Sequence, residues 1–267
     1  MMTTKHVFYC ENSLEGIFSA VYMGWSAKVG HENVSVQVKK DFNLEFFCTY
    51  HNVETNLENA EKVLRTIKKQ LGNEITECIC YAAYAEDIEK GTAIYRTLVD
   101  CLSVNGVSFG KRKLENLRNP SVRKVVELHR TVWNEYHHYL GFVRFKQITD
   151  QVLFGTITPK HDILVLLQEH FADRFSQEYW IIYDNKRKKA LLHIPLHPCF
   201  IYAGDERLLD ELSDRQDVEQ DYSRLFEIFC HSISINERNN LSLQRQNLPL
   251  RFRNHMVEFM QNNEKKC

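Results

Sequence analysis

The stretch that decides the fold reads FVRFKQI at residues 142–148, VLFGTIT at 152–158, ILVLLQEHFADRF at 163–175 and YWIIYDNKRKKALLHI at 179–194. The first two segments are short apolar runs of strand type and predict one β-hairpin, and the last segment predicts a second hairpin that turns near 185–186. The third segment repeats apolar residues every three or four positions, as a helix does. This order predicts a ββαββ unit with an antiparallel sheet that helices cover.

The predicted helix carries ionisable residues on its apolar side. At about 100° per residue its apolar residues form one stripe, and His170 and Arg174 fall inside that stripe. Burying an unpaired cation is costly, so we expect Arg174 to contact a carboxylate or another strong acceptor. Asp184, at the end of the next strand, is the leading candidate. A buried Arg174–Asp184 ion pair is one interpretation, and convergence of Arg174, Arg187 and Arg144 on a phosphate is the other.

Patterns on both sides of this unit complete the predicted fold. Asn119-Pro120 favours the start of a long helix, and Gly141 suits a left-handed cap at its end. Earlier segments predict alternating strands and helices, with strands at 6–10, 34–38 and 45–49, the last a candidate partner of the second, and helices at 14–22, 56–71, 75–86 and 89–103. After residue 198 the chain is predicted to be helical to its end.

We therefore predict an α+β protein. Its parts are a mixed α/β segment at 1–118, a central helix with the ββαββ unit at 119–198, and a helical segment at 199–267, packed as one compact domain. A chain of 267 residues with 43% hydrophobic content is long enough to bury such a core.

Composition and motifs exclude several common classes of protein. The net charge is −1, no apolar run reaches the length of a membrane span, and the first residues do not resemble a signal peptide. The eight cysteines are dispersed and lack metal-binding or redox spacing, so we expect reduced thiols in a cytoplasmic protein. GxGxxG and GxxxxGK[ST] motifs are absent from the sequence, and we expect neither a cofactor nor a metal.

Two kinds of chemistry fit the ionisable residues near the long helix. Glu135, His137 and Asp184 could act as acid–base groups in an enzyme that acts on a nucleobase or a phosphodiester, which requires an open pocket where they converge. Histidines and arginines could instead bind phosphate. The phosphate-binding candidates are Arg130, Arg144, His170, Arg174, Arg187, Arg238 and Arg245. A solvated helix face and a structural ion pair explain the same residues without any function.

Two segments are locally basic. Residues 111–130 contain seven lysines and arginines but only Glu115 and Glu127 as acids, and residues 238–257 contain four arginines and no acid. The preceding segment, 205–227, is acidic. Such cation clusters can follow a nucleic-acid backbone, although most charged runs are simply solvated.

Six segments of the chain resemble a bacterial family of DNA metabolism proteins. These segments are FYCENSLEGIFSAVY, EYHHYLGFVRF, ITPKHDIL, EHFADRF, YWIIYDNKR and SISINERNNLSLQRQNLPLRFRNHM, in the family's order. The family pattern falls on Glu135, His137, Gly141, Phe142, Arg144, Phe145, His170, Phe171, Arg174, Trp180, Asp184, Arg187, Glu237, Arg238 and Asn240. One position departs from it, because His138 stands where the family usually has arginine or lysine.

The resemblance implies a process more than a reaction. Similar proteins accompany a radical S-adenosylmethionine DNA modification or repair protein, and a similar domain is fused elsewhere to uracil-DNA glycosylase-like domains. We therefore expect an accessory protein that binds DNA, the radical S-adenosylmethionine partner, or both, and that is not itself an enzyme. The acid–base enzyme described above is one alternative. A structural adaptor is the other, and an exposed apolar patch would be its sign.

Overall fold

The computed structural model describes residues 4–38, 46–103, 107–149, 151–214 and 240–256, together with residues 228 and 259. The chain forms two compact units, Met1–Asn134 and Glu135–Cys267, and the division falls within one long helix. Each unit contains one sheet together with helices, which confirms the predicted α+β class.

The first unit is built on a three-stranded parallel sheet. Its strands are β1 (Lys5–Cys10), β2 (Val34–Val38) and β3 (Cys48–Asn52), in the order β2-β1-β3. The central strand β1 ends in four consecutive buried residues, as expected of a parallel strand covered on both faces. The third strand pairs with β1 and not with β2, so the predicted partner of the 45–49 segment was wrong.

Four helices of the first unit lie close to their predicted bounds: α1 (Leu14–Ser26), α2 (Leu57–Leu71), α3 (Asn73–Tyr84) and α4 (Lys90–Leu102). A fifth helix, α5 (Val107–Leu114), was not among the four predicted for this part of the chain. Asn56 accepts a hydrogen bond from the amide of Asn59 and thereby caps α2. Gly72, with φ of 83°, ends that helix in a conformation that side-chain-bearing residues rarely adopt.

The long helix α6 (Pro120–Phe142) begins where predicted but ends differently. The side chain of Asn119 accepts a hydrogen bond from the amide of Ser121 at 3.0 Å, which confirms the cap. Gly141 lies inside the helix and does not have a positive φ, so the predicted left-handed cap was wrong. The following residues cap the helix instead, because Arg144 donates to the Gly141 carbonyl at 2.8 Å.

A five-stranded sheet forms the second unit, in the order β4-β5-β6-β7-β8. Its strands are β4 (Phe145–Thr149), β5 (Val152–Ile157), β6 (Tyr179–Asp184), β7 (Lys189–His193) and β8 (Phe200–Tyr202). The two predicted hairpins are present, but β5 and β6 run parallel, so the sheet is mixed and not wholly antiparallel. The reason is that α7 (Leu164–Arg174) crosses over between them and returns the chain to the same end of the sheet.

Both faces of this sheet are covered. Phe171 of α7 packs against Phe145 and Trp180 on one face, with ring centroids 5.5 Å and 6.2 Å apart. On the other face, Leu209 of α8 (Glu206–Asp214) packs against a cluster that includes Phe154 and Tyr183. This arrangement explains why most of β6 is buried.

The C-terminal segment differs from its prediction in one respect. It was expected to be helical throughout, yet β8 adds a fifth strand to β7. The described helices here are α8, α9 (Leu241–Asn247) and a 3₁₀ helix, Leu250–His255. The rest of the predicted acidic helix, 215–227, lies outside the described residues. Among the described helices, none has the length and apolar character needed to cross a bilayer.

Candidate functional site

A densely hydrogen-bonded polar cluster surrounds the loop Thr158-Pro159-Lys160-His161-Asp162, which joins β5 to α7 and is called the 158–162 loop below. This loop leaves the sheet at the carboxyl end of β5, beside the carboxyl end of its parallel neighbour β6. In α/β sheets this edge commonly carries ligand sites. Two buried carboxylates meet the loop here.

Glu135 holds the loop from one side. Its side chain is only 1% exposed, and its two carboxylate oxygens accept hydrogen bonds from the amides of Lys160 at 3.0 Å and His161 at 2.7 Å. A guanidinium nitrogen of Arg251 lies 3.5 Å from one of the same oxygens. Each oxygen therefore has a donor, as a buried carboxylate requires.

Asp184 and Arg187 hold the loop from the other side. Asp184 is fully buried and accepts hydrogen bonds from the amides of Lys186 at 3.0 Å and Arg187 at 3.1 Å, and from the Arg187 guanidinium at 3.0 Å. The same guanidinium donates to the carbonyls of Pro159 and Lys160, at 3.3 Å and 2.7 Å. Burial raises the pKa of Asp184, although Arg187 and the two amides oppose that rise.

His161 lies within this cluster with its side chain 4% exposed. Burial lowers its pKa to about 4, although the nearby Glu135 carboxylate acts in the opposite direction. At neutral pH the imidazole is therefore uncharged. His255 bonds the hydroxyl of Thr158 at 2.7 Å, and burial lowers its pKa as well.

The 3₁₀ helix Leu250–His255 packs over the same region of the second unit. Phe252 is buried against His138, Tyr139 and Phe142, with ring centroids 4.9 to 5.5 Å apart. Burial raises the pKa of Tyr139 well above its ordinary value. Aromatic contacts therefore hold the 3₁₀ helix against the end of α6, while Thr158, Lys160 and Arg251 at the 158–162 loop remain exposed.

The predicted Arg174–Asp184 pair was wrong. Arg174 is exposed at the end of α7 with its guanidinium 5.7 Å from the ring centre of Phe175, while Asp184 pairs with Arg187. The helical projection failed at Arg174 because a long side chain at the last turn can reach solvent even from an apolar stripe. His170 is half-buried, and its Nε2 has no hydrogen-bond partner in the described part of the chain.

The three acid–base candidates are not brought together. Glu135 and Asp184 are buried and saturated with hydrogen bonds, whereas His137 is exposed. Residues two positions apart on a helix point to nearly opposite sides, so Glu135 and His137 cannot share one face of α6. The two carboxylates and Arg187 instead fix the backbone around the 158–162 loop, and we call these three residues the clamp.

The phosphate-binding candidates also separate into two groups. Arg144 and Arg187 use their guanidinium groups on carbonyls of the protein itself. Arg130 and Arg245, like Arg174, are exposed. Arg238 lies outside the described residues.

The basic segment 111–130 is less cationic in three dimensions than in sequence. Three of its lysines form ion pairs with carboxylates of the first unit: Lys111 with Glu74, Lys113 with Asp100, and Lys124 with Asp87, each at 2.8 Å. Arg118, Arg123 and Arg130 are exposed and form no ion pair within the described part of the chain. Within the described residues, the cations of this segment that stand outside any ion pair therefore include these three arginines.

Arg123 lines an open groove of about 570 Å³ together with other positively charged residues, and we call it the basic groove. Its lining includes Lys5, Arg96, Arg123 and Lys124 against two glutamates, and it lies wholly in the first unit. Arg96 and Arg123 are exposed, and neither is in an ion pair among the described residues. Lys124 forms ion pairs with one carboxylate of the α3–α4 loop and with one at the N-terminus of α4.

Within the lining of the basic groove, hydroxyl groups join α4 to β2. Thr92 of α4 donates to the Val36 carbonyl at 2.8 Å, accepts from the Val36 amide at 3.1 Å, and bonds Ser35 at 2.9 Å. A Cβ on Gly91 would meet the Val36 carbonyl oxygen at 2.6 Å, so glycine is what allows α4 to approach β2 so closely. The groove therefore combines hydroxyl-bearing residues in its lining with two guanidinium groups that have no ion pair among the described residues.

Sequence reasoning missed the contacts of several polar residues. His161 was quoted within a segment but was not singled out, Arg251 was considered only as one of the four arginines of the basic segment 238–257, and Lys90 was not considered at all. Lys90 is buried and donates to the carbonyls of Ala83 at 2.6 Å and Ala85 at 2.7 Å, so it caps the end of α3. The sequence carries no signal for these contacts, because His161 and Arg251 meet Glu135 from distant positions along the chain and the contacts of Lys90 depend on how the α3–α4 loop folds.

Comparison with known proteins identifies a family but not an activity. No curated protein matches the chain. One family model, that of a domain of unknown function named DUF4130, matches residues 88–258, which include Arg96, Arg123 and the whole clamp around the 158–162 loop. Because this match spans more than half of the sequence, the chain belongs to the DUF4130 family.

Proposed function

We propose that the protein is an accessory factor in DNA modification or repair that binds nucleic acid through the basic groove. The observation that carries the proposal is the pair of exposed arginines, Arg96 and Arg123, that line one groove and have no carboxylate partner among the described residues. Guanidinium groups bind phosphate oxygens through two parallel hydrogen bonds, and a groove with hydroxyl groups in its lining suits a sugar–phosphate backbone.

The process itself comes from the resemblance to DNA metabolism proteins. A radical S-adenosylmethionine enzyme is the proposed partner on the same ground, and the nucleic-acid contact does not depend on it. In this proposal the protein presents DNA and performs no chemistry of its own.

The acid–base alternative has less support. It needs Glu135 and Asp184 to face a substrate, but both are buried and bonded to backbone amides. Releasing either carboxylate would leave buried donors without acceptors, which is costly. The arrangement favours binding over catalysis.

The proposal is tested by measuring the binding of short labelled single- and double-stranded DNA to the purified protein by fluorescence anisotropy. We expect binding that weakens between about 50 and 200 mM salt, because the contact releases counterions from phosphates. The variant Arg96→Ala/Arg123→Ala should bind more weakly, with a log–log salt slope smaller by about 1 to 2.

The matched control is Lys68→Ala/Lys69→Ala, which removes two exposed positive charges from α2, outside the groove. It should bind DNA almost as the wild type does. Equal losses in the two variants would mean that only net charge matters, and no binding at low salt, with or without the partner enzyme, would overturn the proposal.

A further inference from the structure

A second groove of the first unit is lined by more acidic than basic residues, unlike the basic groove. It has a volume of about 530 Å³ and lies among α3, α5 and the first half of α6, and we call it the acidic groove. Its apolar floor includes Cys78, Leu114 and Val126, and its rim carries Glu74, Glu77 and Glu115. Lys111 is the one lysine or arginine of the lining, and it is already paired with Glu74.

Two large apolar side chains of this groove are partly exposed to solvent. Leu117 is 50% exposed and Trp133 is 39% exposed, and both belong to the lining. Exposed tryptophan beside an apolar cleft is characteristic of protein-binding surfaces, where it acts as an anchor that a partner covers. Scattered apolar residues need no explanation, but two that border one groove form a patch.

The charges around the patch define the partner. Glu77 and Glu115 are exposed and face no lysine or arginine other than the already paired Lys111 within the lining. Half-buried His129, at the same groove, adds little positive charge, because burial lowers its pKa although Glu77 acts in the opposite direction. An occupant that carried carboxylates would be repelled, whereas lysine or arginine beside an apolar anchor would be attracted.

We propose that the acidic groove is a docking site for a basic amphipathic helix of another protein. One or two large apolar side chains of that helix enter the cleft beside Leu117 and Trp133, and flanking lysines or arginines meet Glu77 and Glu115. This mode is the familiar insertion of a helix into a groove. The inference stands independently of nucleic-acid binding, since the basic groove shares no lining residue with it.

Two synthetic helical peptides of about 18 residues, or five turns, serve as probes. They share the same leucine spacing, and their polar positions are all lysine in one and all glutamate in the other. Titrated into the full-length protein and followed by anisotropy, the lysine peptide should bind and the glutamate peptide should not. Trp133→Ala should weaken binding of the lysine peptide about tenfold or more, and Trp133→Phe should restore part of it.

A charge variant and its control complete the test. Glu77→Gln/Glu115→Gln should weaken binding about fivefold and reduce its salt dependence, whereas Glu32→Gln/Glu54→Gln, which neutralises two exposed glutamates outside the groove, should leave both unchanged. Thermal melts of all variants separate weaker binding from unfolding. Equal binding of both peptides, no binding of either, or insensitivity to these substitutions would overturn the proposal.

A second copy of the chain is the competing occupant, and sedimentation velocity distinguishes it. If the wild type self-associates and Trp133→Ala abolishes the association, the groove is a homodimer interface and the proposal is wrong. A wild type whose sedimentation does not depend on the groove residues supports a foreign partner.

Discussion

The clamp around the 158–162 loop and the basic groove hold the same residue types for opposite purposes. In the clamp, the Arg187 guanidinium donates hydrogen bonds to Asp184 and to two backbone carbonyls, and the Glu135 carboxylate accepts hydrogen bonds from two backbone amides. In the groove, Arg96 and Arg123 are exposed and have no ion pair in the described part of the chain. An arginine is thus available to a ligand only where the fold leaves its guanidinium without an internal acceptor.

The comparison predicts that clamp variants lose stability and that groove variants lose binding. The largest effect is expected for Glu135→Ala, which leaves two buried amides without acceptors. We expect the free energy of unfolding in urea to fall by about 3 to 5 kcal/mol. Glu135→Gln, which keeps one carbonyl oxygen as an acceptor, should cost about half as much. A loss below 1 kcal/mol for Glu135→Ala would show that the clamp is not structural.

A smaller effect tests which arginine serves Asp184. In a double-mutant cycle, Asp184→Asn and Arg187→Ala should show a coupling energy of about 1 to 3 kcal/mol, because they remove the same buried ion pair. The matched cycle of Asp184→Asn with Arg174→Ala should show almost none, since Arg174 is exposed. Coupling to Arg174 instead would contradict the pairing described here.

The pH dependence of stability reports on His161. Its pKa is about 4 in the folded protein, below the value of 6.5 for an exposed histidine, so the unfolded chain binds the proton more tightly. Stability should therefore fall as the pH drops from about 6.5 towards 4, on the order of 1 kcal/mol or more from this residue. Urea titrations across that range should show a weaker dependence for His161→Gln. An unchanged dependence would mean that other groups, such as His255, are responsible.

The smallest effect on stability is expected in the basic groove. Arg96→Ala/Arg123→Ala should change the free energy of unfolding by less than about 0.5 kcal/mol, because both side chains are exposed and neither forms an ion pair with another described residue. The same variant should lose DNA binding. A variant that loses binding and stability together would remove the distinction between the two regions.

Particular residues show how far sequence reasoning reached. Asn119 predicted the start of the long helix correctly, because a cap depends on neighbours a few positions away. The short strand β8 was missed, since three residues carry too little periodicity. The direction of β6 relative to β5 was also missed, because it depends on where the crossover helix returns the chain.

The candidate site was predicted less well than the fold. The sequence placed Glu135, Asp184 and Arg187 among the important residues, but their partners lie some 25 residues away along the chain or are immediate neighbours in a turn. The basic segment looked uniformly cationic until the ion pairs of Lys111, Lys113 and Lys124 became visible. Charge in a sequence does not reveal which charges are neutralised.

By itself, the sequence determined the α+β class, most helices and the ββαββ order, because periodicity and capping are local properties. Only the tertiary structure decided that Arg187 rather than Arg174 meets Asp184, that Glu135 is a clamp rather than a base, and that Arg96 and Arg123 share a groove. The physical reason is that burial and pairing depend on which distant groups meet, and the energies of charged side chains are set by those neighbours.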